Sequence, residues 1–245
     1  LILLDVMLPG LDGIEVCRLV RQKQSTQGYV YIVILTGKQR KEDVVQGLEA
    51  GADDFLIKPF DHQELRMRLR VGQCILALQD QLKQMAYHDS LTGLLNRLAI
   101  MDILQKELSR ARREDCSVSV VMCDLDYFKK VNDTYGHLCG DAVLVEAARR
   151  LKSEMRLYDS LGRYGGEEFL MIAPGIDRVE TLRLARRLQS RLSETPIPYM
   201  EHQITVTMSM GIADNRCCEF GDIDSLIRLA DEALYCAKIE GRNRI

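Results

Sequence analysis

The first sixty residues alternate short apolar runs with amphipathic stretches. The apolar runs are LILLDV, YVYIVILT and DFLIKPF, and IEVCRLV and VVQGLEAGA lie between them. Strands that alternate with helices are typical of a parallel α/β sheet. Uninterrupted apolar strands suit a sheet that is covered on both faces. We therefore predict part of a doubly wound parallel sheet in residues 1–70.

A polar helix is predicted next, with one regular apolar stripe. Val71, Ile75, Leu78, Leu82 and Met85 are spaced by four, three, four and three residues. This heptad spacing indicates a seam at which two helices pair, and we assign residues 71–88 to a helical linker or stalk. An ordinary helix packed on its own domain explains two heptads equally well, so both interpretations stay open.

The remaining residues, 89–245, mix helices and strands in a different order. The pattern predicts a helix, a strand, a helix, a hairpin, a helix, a strand and a closing helix. Strands and helices combined with an antiparallel hairpin indicate a compact α+β domain. The chain thus has two domains joined by the stalk, which agrees with the room that 245 residues provide.

Charge and apolar content narrow the function classes. The net charge is -3 and the Lys and Arg residues form no basic stripe, which argues against a long nucleic acid but not against single nucleotides. No apolar run approaches the roughly 20 residues of a membrane span, and no charged-then-apolar leader opens the chain. We expect a soluble, cytoplasmic protein without membrane insertion.

The eight cysteines form no C-x-x-C pair or zinc-ligand spacing. Most lie singly in apolar surroundings and are predicted to be buried thiols. The adjacent Cys217 and Cys218 lie in a polar loop with no metal partner. The chain also begins at Leu1 in the middle of a strand, so we expect an N-terminal segment to precede it.

Three polar residues end the three strands of the first domain. Asp5, Thr36 and Lys58 stand at the carboxyl ends, where parallel sheets place their ligand sites. With KP after the last strand, this pattern resembles the response-regulator receiver family. The resemblance implies that a histidine kinase supplies the phosphoryl group to Asp5, that Thr36 and Lys58 contact its oxygens, and that Phe55 is the aromatic switch.

The first domain departs from the receiver pattern in one respect. Complete receivers have two earlier strands and an acidic pair that holds Mg²⁺, and neither is present here. Asp5 alone offers one carboxylate to a cation that takes about six oxygen ligands. We expect inefficient phosphorylation and an apolar LILL edge that an N-terminal segment or a partner covers.

Acidic residues cluster at two points of the second domain. Asp124 and Asp126 end the strand CSVSVVMCDLD, and period-two geometry points both carboxylates the same way. The tight turn of RYGGEEF places Glu167 and Glu168 directly after two glycines, which permit positive φ and a close approach of a flat base. Carboxylates at a hairpin tip beside a strand end predict a Mg²⁺ site of the nucleotide type.

Four segments together carry a family resemblance. DSLTGLLNR, DLDYFKKVNDTYGHLCGD, RYGGEEF and AKIEGRNR closely resemble the GGDEF diguanylate cyclase family over residues 89–245. The resemblance implies a nucleotidyl-cyclase-like domain with a ferredoxin-like core that condenses two GTP into cyclic di-GMP and two pyrophosphates. Since each domain binds one GTP, it also implies a homodimer with facing active sites, controlled by receiver phosphorylation.

The resemblance also assigns the catalytic and metal-binding residues. Asp124, the Leu125 carbonyl and Glu167 bind two Mg²⁺ ions, with Mn²⁺ as an alternative, and the ions activate the attacking 3′-hydroxyl. Glu168 either accepts the proton of that hydroxyl or completes the metal site, and the sequence leaves both roles open. Asp126 is expected to be mainly structural.

Substrate contacts follow from the same resemblance. Asn132 and Asp141 read the guanine edge, and a carboxylate at 141 accepts from both N1–H and the exocyclic amine. The phosphates contact backbone N–H groups near Phe128 and Lys129 together with the side chains of Lys129, Lys238 and Arg242. Lys238 and Arg242 can also stabilise a helix C-terminus, and the GRN context favours phosphate binding.

A second ligand site is implied before the hairpin. Arg156 and Asp159 have the spacing and register of the family's RxxD inhibitory site for cyclic di-GMP, and Arg187 falls at the position of its secondary arginine. Arginine grips phosphate in a bidentate manner and stacks on guanine. The alternative is a surface ion pair worth roughly 0–1 kcal/mol.

Three other functions have less support from the sequence than a diguanylate cyclase. A non-catalytic module that binds GTP or cyclic di-GMP is disfavoured because Asp124, Glu167, Glu168, Asn132 and Asp141 are all present. A mixed guanine–adenine product is disfavoured by Asp141. A phosphodiesterase has no support, because the sequence holds no second domain with an acidic metal motif.

Overall fold

The structure is a computed structural model that describes residues 1–7, 12–27, 29–37, 41–217 and 222–245. It has two compact units, Leu1–Gln84 and Met85–Ile245. Cys218 of the predicted Cys217–Cys218 loop lies outside the described residues. Within the described ranges, no helix combines the length and apolarity that crossing a bilayer requires.

The first unit contains a parallel three-stranded sheet. Its strands β1 (Ile2–Asp5), β2 (Ile32–Thr36) and β3 (Asp54–Ile57) lie in the order β1-β2-β3. The helices α1 (Gly13–Gln27) and α2 (Lys41–Glu49) connect them. A small core forms between these layers, from Leu4, Cys17, Ile32, Ile34, Ala50 and Ala52. The predicted parallel sheet is therefore confirmed.

The edge of this sheet is apolar. Strand β1 pairs only with β2 among the described strands, and Leu1 and Leu3 are 44% and 41% exposed. The LILL segment thus presents leucine side chains and unpaired backbone groups at one edge, as the sequence predicts.

The predicted stalk forms part of a longer helix. Helix α3 (His62–Tyr87) spans 26 residues and begins nine residues before the predicted stalk. Val71, Leu78, Leu82 and Met85 are each more than half exposed, and Ile75 is partly buried. Most of this apolar stripe is therefore exposed to solvent in a single chain.

The second unit is built on a four-stranded antiparallel sheet. Its strands β4 (Val118–Leu125), β5 (Ser160–Gly165), β6 (Glu168–Pro174) and β9 (Met208–Asp214) lie in the order β5-β6-β4-β9. The α-helices in the described part of this unit are α4 (Arg97–Glu114), α5 (Phe128–Tyr135), α6 (His137–Ser153), α7 (Arg178–Ser193) and α8 (Ile223–Ile239). The strand order is that of the ferredoxin-like fold, which confirms the predicted architecture.

Two local features differ from the prediction. The sequence predicts one helix, over residues 140–155, between β4 and the hairpin, and this helix is α6. The structure has a further helix before it, α5, which ends where Gly136 with φ 83° breaks the backbone. The segment predicted as one strand from Gln203 divides into β8 (His202–Ile204) and β9. Strand β8 instead pairs with β7 (Ile197–Tyr199) in a separate hairpin.

Strand β4 lies at the centre of the second unit, and all eight of its residues are buried. Val121, Cys123 and Leu125 pack in one core with α6 and α7, whereas Val120 and Met122 pack in another with α4 and α8. Tight packing on both faces holds the carboxyl end of β4 in place, and the predicted acids lie at that end.

The thiols only partly follow their prediction. Cys17, Cys123 and Cys139 are buried and Cys116 is partly buried. The prediction of buried thiols is wrong for Cys74 and Cys236, which are exposed. Both lie on long helices, α3 and α8, whose solvent faces carry them.

Candidate active site

The strand register brings the predicted acids together. Asp124 on β4 lies directly opposite Glu168 on β6. The turn before β6 contains Gly166, whose φ of 49° lies in the left-handed region that favours glycine. The N–H of Leu125 donates to the carbonyl of Glu167 at 3.3 Å. The turn is therefore fastened to the end of the central strand.

One lysine partly balances the charge of these acids. Lys238 Nζ lies 2.8 Å from Asp124 Oδ2. The pKa of Asp124 is raised, because burial and the nearby charges of Glu167 and Asp126 outweigh the lowering effect of Lys238. The pKa of Glu168 is also raised, first by burial and then by the charge of Asp124. Further positive charge at this point would stabilise the ionised carboxylates.

The donor set suits a hard cation. Among the residues that the structure describes, no three His, Cys, Asp or Glu side chains form a group that could hold a metal. The predicted set is smaller and consists of the Asp124 and Glu167 carboxylates with the Leu125 carbonyl. Oxygen donors of this kind fit Mg²⁺, which binds one or two carboxylates and takes further oxygens from phosphates.

Asp126 has different surroundings from Asp124. It is 4% exposed and accepts hydrogen bonds from Thr207 Oγ1 at 2.7 Å, Ser209 Oγ at 2.7 Å and the N–H of Asn243 at 3.0 Å. Three donors satisfy a buried carboxylate well. Asp126 therefore ties the end of β4 to β9 and to the C-terminal segment.

The predicted guanine contacts lie where α5 meets α6. A Cβ atom on Gly140 would lie 1.9 Å from Asn132 Oδ1 and 3.2 Å from Phe128 Cζ. The Asn132 amide thus rests on the α6 backbone, in space that only glycine leaves open. Asp141 follows Gly140 and is exposed. Sequence reasoning did not single out Gly140, although it stands within the quoted motif.

The predicted phosphate contacts lie around the start of α5. Phe128 and Lys129 are its first residues, and no side chain caps the helix at Tyr127. Unsatisfied N–H groups at a helix start favour anions. The Arg242 guanidinium carbon lies 4.6 Å from the centroid of the Tyr127 ring. Arg242 is thereby held beside this helix start by an aromatic residue that the sequence analysis did not identify.

A second ion pair connects the start of the domain to the hairpin. Arg163 Nη1 lies 3.1 Å from Asp89 Oδ2, and Arg163 Nε donates to the Gly166 carbonyl at 2.9 Å. Burial acts to raise the pKa of Asp89, but hydrogen bonds from Thr92 and Arg163 outweigh it, so the pKa is lowered. Both residues lie in recognisable motifs, but the sequence alone does not show that these two charges pair.

The predicted inhibitory residues form a turn and a neighbouring contact. The Arg156 N–H donates to Asp159 Oδ2 at 2.9 Å, and the Asp159 N–H donates to the Arg156 carbonyl at 3.2 Å. The turn borders a cavity of about 500 Å³ that Lys152 and Met155 also line. Arg187 contacts Glu154, two residues before Arg156. The structure therefore places all three predicted residues at this end of α6.

In the first unit, the strand-end residues also meet. Lys58 Nζ contacts Asp5 Oδ2, and this hydrogen bond, followed by the N–H of Met7, lowers the pKa of Asp5. Thr36 is buried, and its strand β2 lies between β1, which carries Asp5, and β3, which precedes Lys58. The Arg68 guanidinium carbon lies 5.9 Å from the centroid of the Phe55 ring.

Two family models match the sequence. The model described as "Diguanylate cyclase, GGDEF domain" matches residues 86–244. The model described as "Response regulator receiver domain" matches residues 1–70.

The curated relatives include a protein named as a response regulator and proteins named as diguanylate cyclases. Response regulator PleD of Caulobacter vibrioides is 33% identical over 254 residues, which cover 100% of this chain and 56% of PleD. Diguanylate cyclase DosC of Escherichia coli K12 is 36% identical over 185 residues, which cover 74% of this chain and 40% of DosC. The chain thus spans roughly half the length of the curated relatives that it matches.

Solved structures agree with the fold. The coiled coil and GGDEF domain of DgcB from Caulobacter crescentus, in complex with c-di-GMP, has a TM-score of 0.67 at 28% identity and covers 75% of this chain and 98% of its own. Diguanylate cyclase SiaD from Pseudomonas aeruginosa, in complex with its activator SiaC, has a TM-score of 0.63 at 30% identity and covers 94% and 82%. The active GGEEF domain of a Vibrio cholerae diguanylate cyclase has a TM-score of 0.57 at 31% identity, and the match covers 62% of this chain and 95% of that domain.

Because the GGDEF match extends over well more than half of the sequence, this chain belongs to the diguanylate cyclase, GGDEF domain family, with a receiver-domain match in its first seventy residues.

Proposed function

We propose that this chain condenses two molecules of GTP into cyclic di-GMP and releases two molecules of pyrophosphate. The pairing of Asp124 with Glu168 across β4 and β6, with Lys238 on Asp124, carries the proposal. It gathers carboxylates and a cation at one strand end, beside the N-terminus of α5. Phosphoryl-transfer sites need this combination to hold a triphosphate and balance its charge.

The metal-binding residues in this proposal are Asp124, Glu167 and the Leu125 carbonyl, which would hold two Mg²⁺ ions or Mn²⁺. When bound, such ions lower the pKa of the attacking 3′-hydroxyl and offset the charge of the leaving pyrophosphate. The raised pKa of Glu168 makes it a stronger base than an exposed carboxylate. It is therefore suited to accept the hydroxyl proton.

The remaining residues hold the substrate. Asn132 and Asp141 read the guanine edge, with the Asn132 amide supported by Gly140. The triphosphate contacts the N–H groups of Phe128 and Lys129 at the start of α5. Lys129, Lys238 and Arg242 contribute positive charge. Lys238 pairs with Asp124, and it would be available to the phosphates if a cation occupied that carboxylate.

Catalysis requires two copies of this chain. One domain binds one GTP, yet the product contains two equivalent phosphodiester bonds, so two sites must face each other. The exposed stripe of α3 offers an apolar seam for a parallel partner helix. The active species is therefore a homodimer.

Two controls act on this dimer. A histidine kinase phosphorylates Asp5 of the intact receiver, and the phosphoryl group engages Lys58 and Thr36 and moves Phe55, which changes the pairing. Cyclic di-GMP binds Arg156, Asp159 and Arg187 and inhibits synthesis. GTP and phosphoryl control both suit a cytoplasmic protein.

Product analysis tests the proposed reaction. The chain is incubated with GTP and Mg²⁺, and cyclic di-GMP and pyrophosphate are quantified by mass spectrometry. Glu167→Ala should abolish product, while Glu201→Ala, which removes an exposed carboxylate on the β7–β8 hairpin, should leave the yield unchanged. Equal yields from the wild type and Glu167→Ala would remove the metal assignment. GTP binding without product would indicate a binding module instead.

A further inference from the structure

Glu154 lies at the junction of two helices beside the RxxD turn. It is the C-terminal cap of α6, and its N–H donates to the carbonyls of Leu151 and Lys152. Its backbone carbonyl accepts from Arg187 Nη2 at 2.7 Å, and its carboxylate oxygen Oε2 lies 2.9 Å from Arg187 Nε. Arg187 on α7 is thus held by two atoms of one residue.

These contacts engage only one edge of the guanidinium. Arginine has five N–H donors in a planar fork, and Glu154 meets the Nε and Nη2 side. Among the residues that the structure describes, no other hydrogen bond engages the Arg187 guanidinium. The donors of Nη1 therefore remain for an incoming acceptor.

Glu154 is also well held itself. Its carboxylate is 25% exposed, and its second oxygen lies 3.6 Å from Arg191 Nε. Arg187 is half exposed and would otherwise sample many rotamers. Ordering such a side chain opposes binding, and a contact that orders it beforehand removes part of that cost.

We propose that Glu154 is a positioning residue for product binding, which holds Arg187 beside the RxxD turn so that its remaining donors meet a phosphate of cyclic di-GMP. The inference rests on the proposed feedback function and adds a residue to it. Glu154 lies two positions before Arg156, so the backbone that fixes Arg187 is continuous with the turn that carries the first arginine.

Inhibition of GTP turnover by added cyclic di-GMP tests the inference, with the full chain. Glu154→Ala should raise the half-inhibitory concentration by about 3- to 10-fold, the range expected for ordering one long side chain. The rate at the start of the reaction, before product accumulates, should not change. Both variants keep the backbone carbonyl, but only Glu154→Gln also keeps a side-chain acceptor oxygen, so it should stay within about 2-fold of wild type.

Two further variants separate positioning from a general charge effect. Glu194→Ala removes a nearby carboxylate that pairs with Arg191 at 3.5 Å, and it should leave inhibition unchanged. Glu154→Ala combined with Arg187→Ala should match Arg187→Ala alone, because Glu154 acts through Arg187.

The results distinguish this inference from the feedback proposal. If Arg156→Ala leaves inhibition unchanged, the RxxD assignment fails and the role of Glu154 fails with it. If Arg156→Ala and Arg187→Ala both weaken inhibition while Glu154→Ala leaves it unchanged or strengthens it, only the positioning role is overturned. An equal effect of Glu154→Ala with and without Arg187 overturns it as well.

Discussion

Gly140→Ala should separate substrate recognition from folding in this protein. Gly140 lies in the first turn of α6, where alanine is the better helix former by roughly 1 kcal/mol. The added methyl group would lie 1.9 Å from Asn132 Oδ1, and real Cβ atoms essentially never come closer than 3.0 Å. The Asn132 amide must therefore move by at least 1.1 Å, the difference between these distances.

That movement sets the size of the effect. A displacement of about 1 Å in a group that positions substrate can reduce catalysis on the order of 100-fold. We expect kcat/KM for GTP to fall by about that factor, mainly through loss of guanine recognition. Stability should change little, since the gain in helix propensity offsets about 1 kcal/mol of crowding.

Steady-state pyrophosphate release and thermal unfolding measure the two quantities. Asn132→Ala provides the control, because it removes the atom that the new methyl group meets. In that background Gly140→Ala should cost almost nothing further. If Gly140→Ala is as active as the wild type, or if its defect is as large without the Asn132 amide, the proposed contact between Asn132 and guanine is wrong.

Three further substitutions each test one local feature of the structure. The pKa of Glu168 is raised on folding, so Glu168 favours the folded state most below its ordinary pKa, and this contribution is lost as pH rises through the raised value. Glu168→Gln should therefore make the melting temperature of the metal-free chain fall less between pH 4 and 8. Equal melting profiles for the wild type and the variant would contradict the raised pKa. Gly211→Ala would place Cβ 2.0 Å from the Ala230 carbonyl oxygen. Urea denaturation should therefore show that the free energy of unfolding falls by about 1–3 kcal/mol or more. An unchanged free energy of unfolding would show that α8 can shift away from β9 without cost. Leu82→Glu puts a charge on the exposed stripe of α3 and should shift the chain toward monomer in light scattering, and an unchanged mass would exclude that stripe as the seam.

Strands and local motifs were the predictable part of this protein. The runs around Leu4, Ile34 and Val121 are mainly apolar, and each forms a strand with a buried core face. The turn of GGEEF was predictable for a similar reason, since Gly166 has the positive φ that two glycines permit. These features depend on near neighbours in the chain.

Contacts between separate helices, strands and loops were not predictable from one sequence. Arg163 meets Asp89 across 74 positions, and Gly140 leaves room for the Asn132 amide on a neighbouring helix. Nothing in the local pattern distinguishes these residues from ordinary surface charges or a weak helix position. Their roles depend on how the elements pack, which local propensity does not determine.

The two strand-end carboxylates show how packing assigns different roles to the same residue type. Period-two geometry points Asp124 and Asp126 the same way, although Asp126 was expected to be mainly structural; in the structure β4 ends at Leu125 and Asp126 lies beyond it. Three donors from distant segments satisfy Asp126, whereas Asp124 has the Lys238 ammonium. The difference in hydrogen-bond partners therefore makes Asp126 an anchor, while Asp124 stays the proposed metal ligand.

The hydrogen bonds of Asp126 also connect it to the segment that carries the proposed phosphate contact Arg242. Arg242 and Asn243 have φ values of 62° and 47°, and left-handed non-glycine residues cost of order 1–3 kcal/mol each unless their surroundings hold them. The Asn243 N–H donates to Asp126, and the Arg242 N–H donates to the Ala237 carbonyl at 3.0 Å. Asp126 thus helps to keep the strained turn that places Arg242 beside Tyr127. Asp126 thereby helps to determine where Arg242, a proposed phosphate contact, lies.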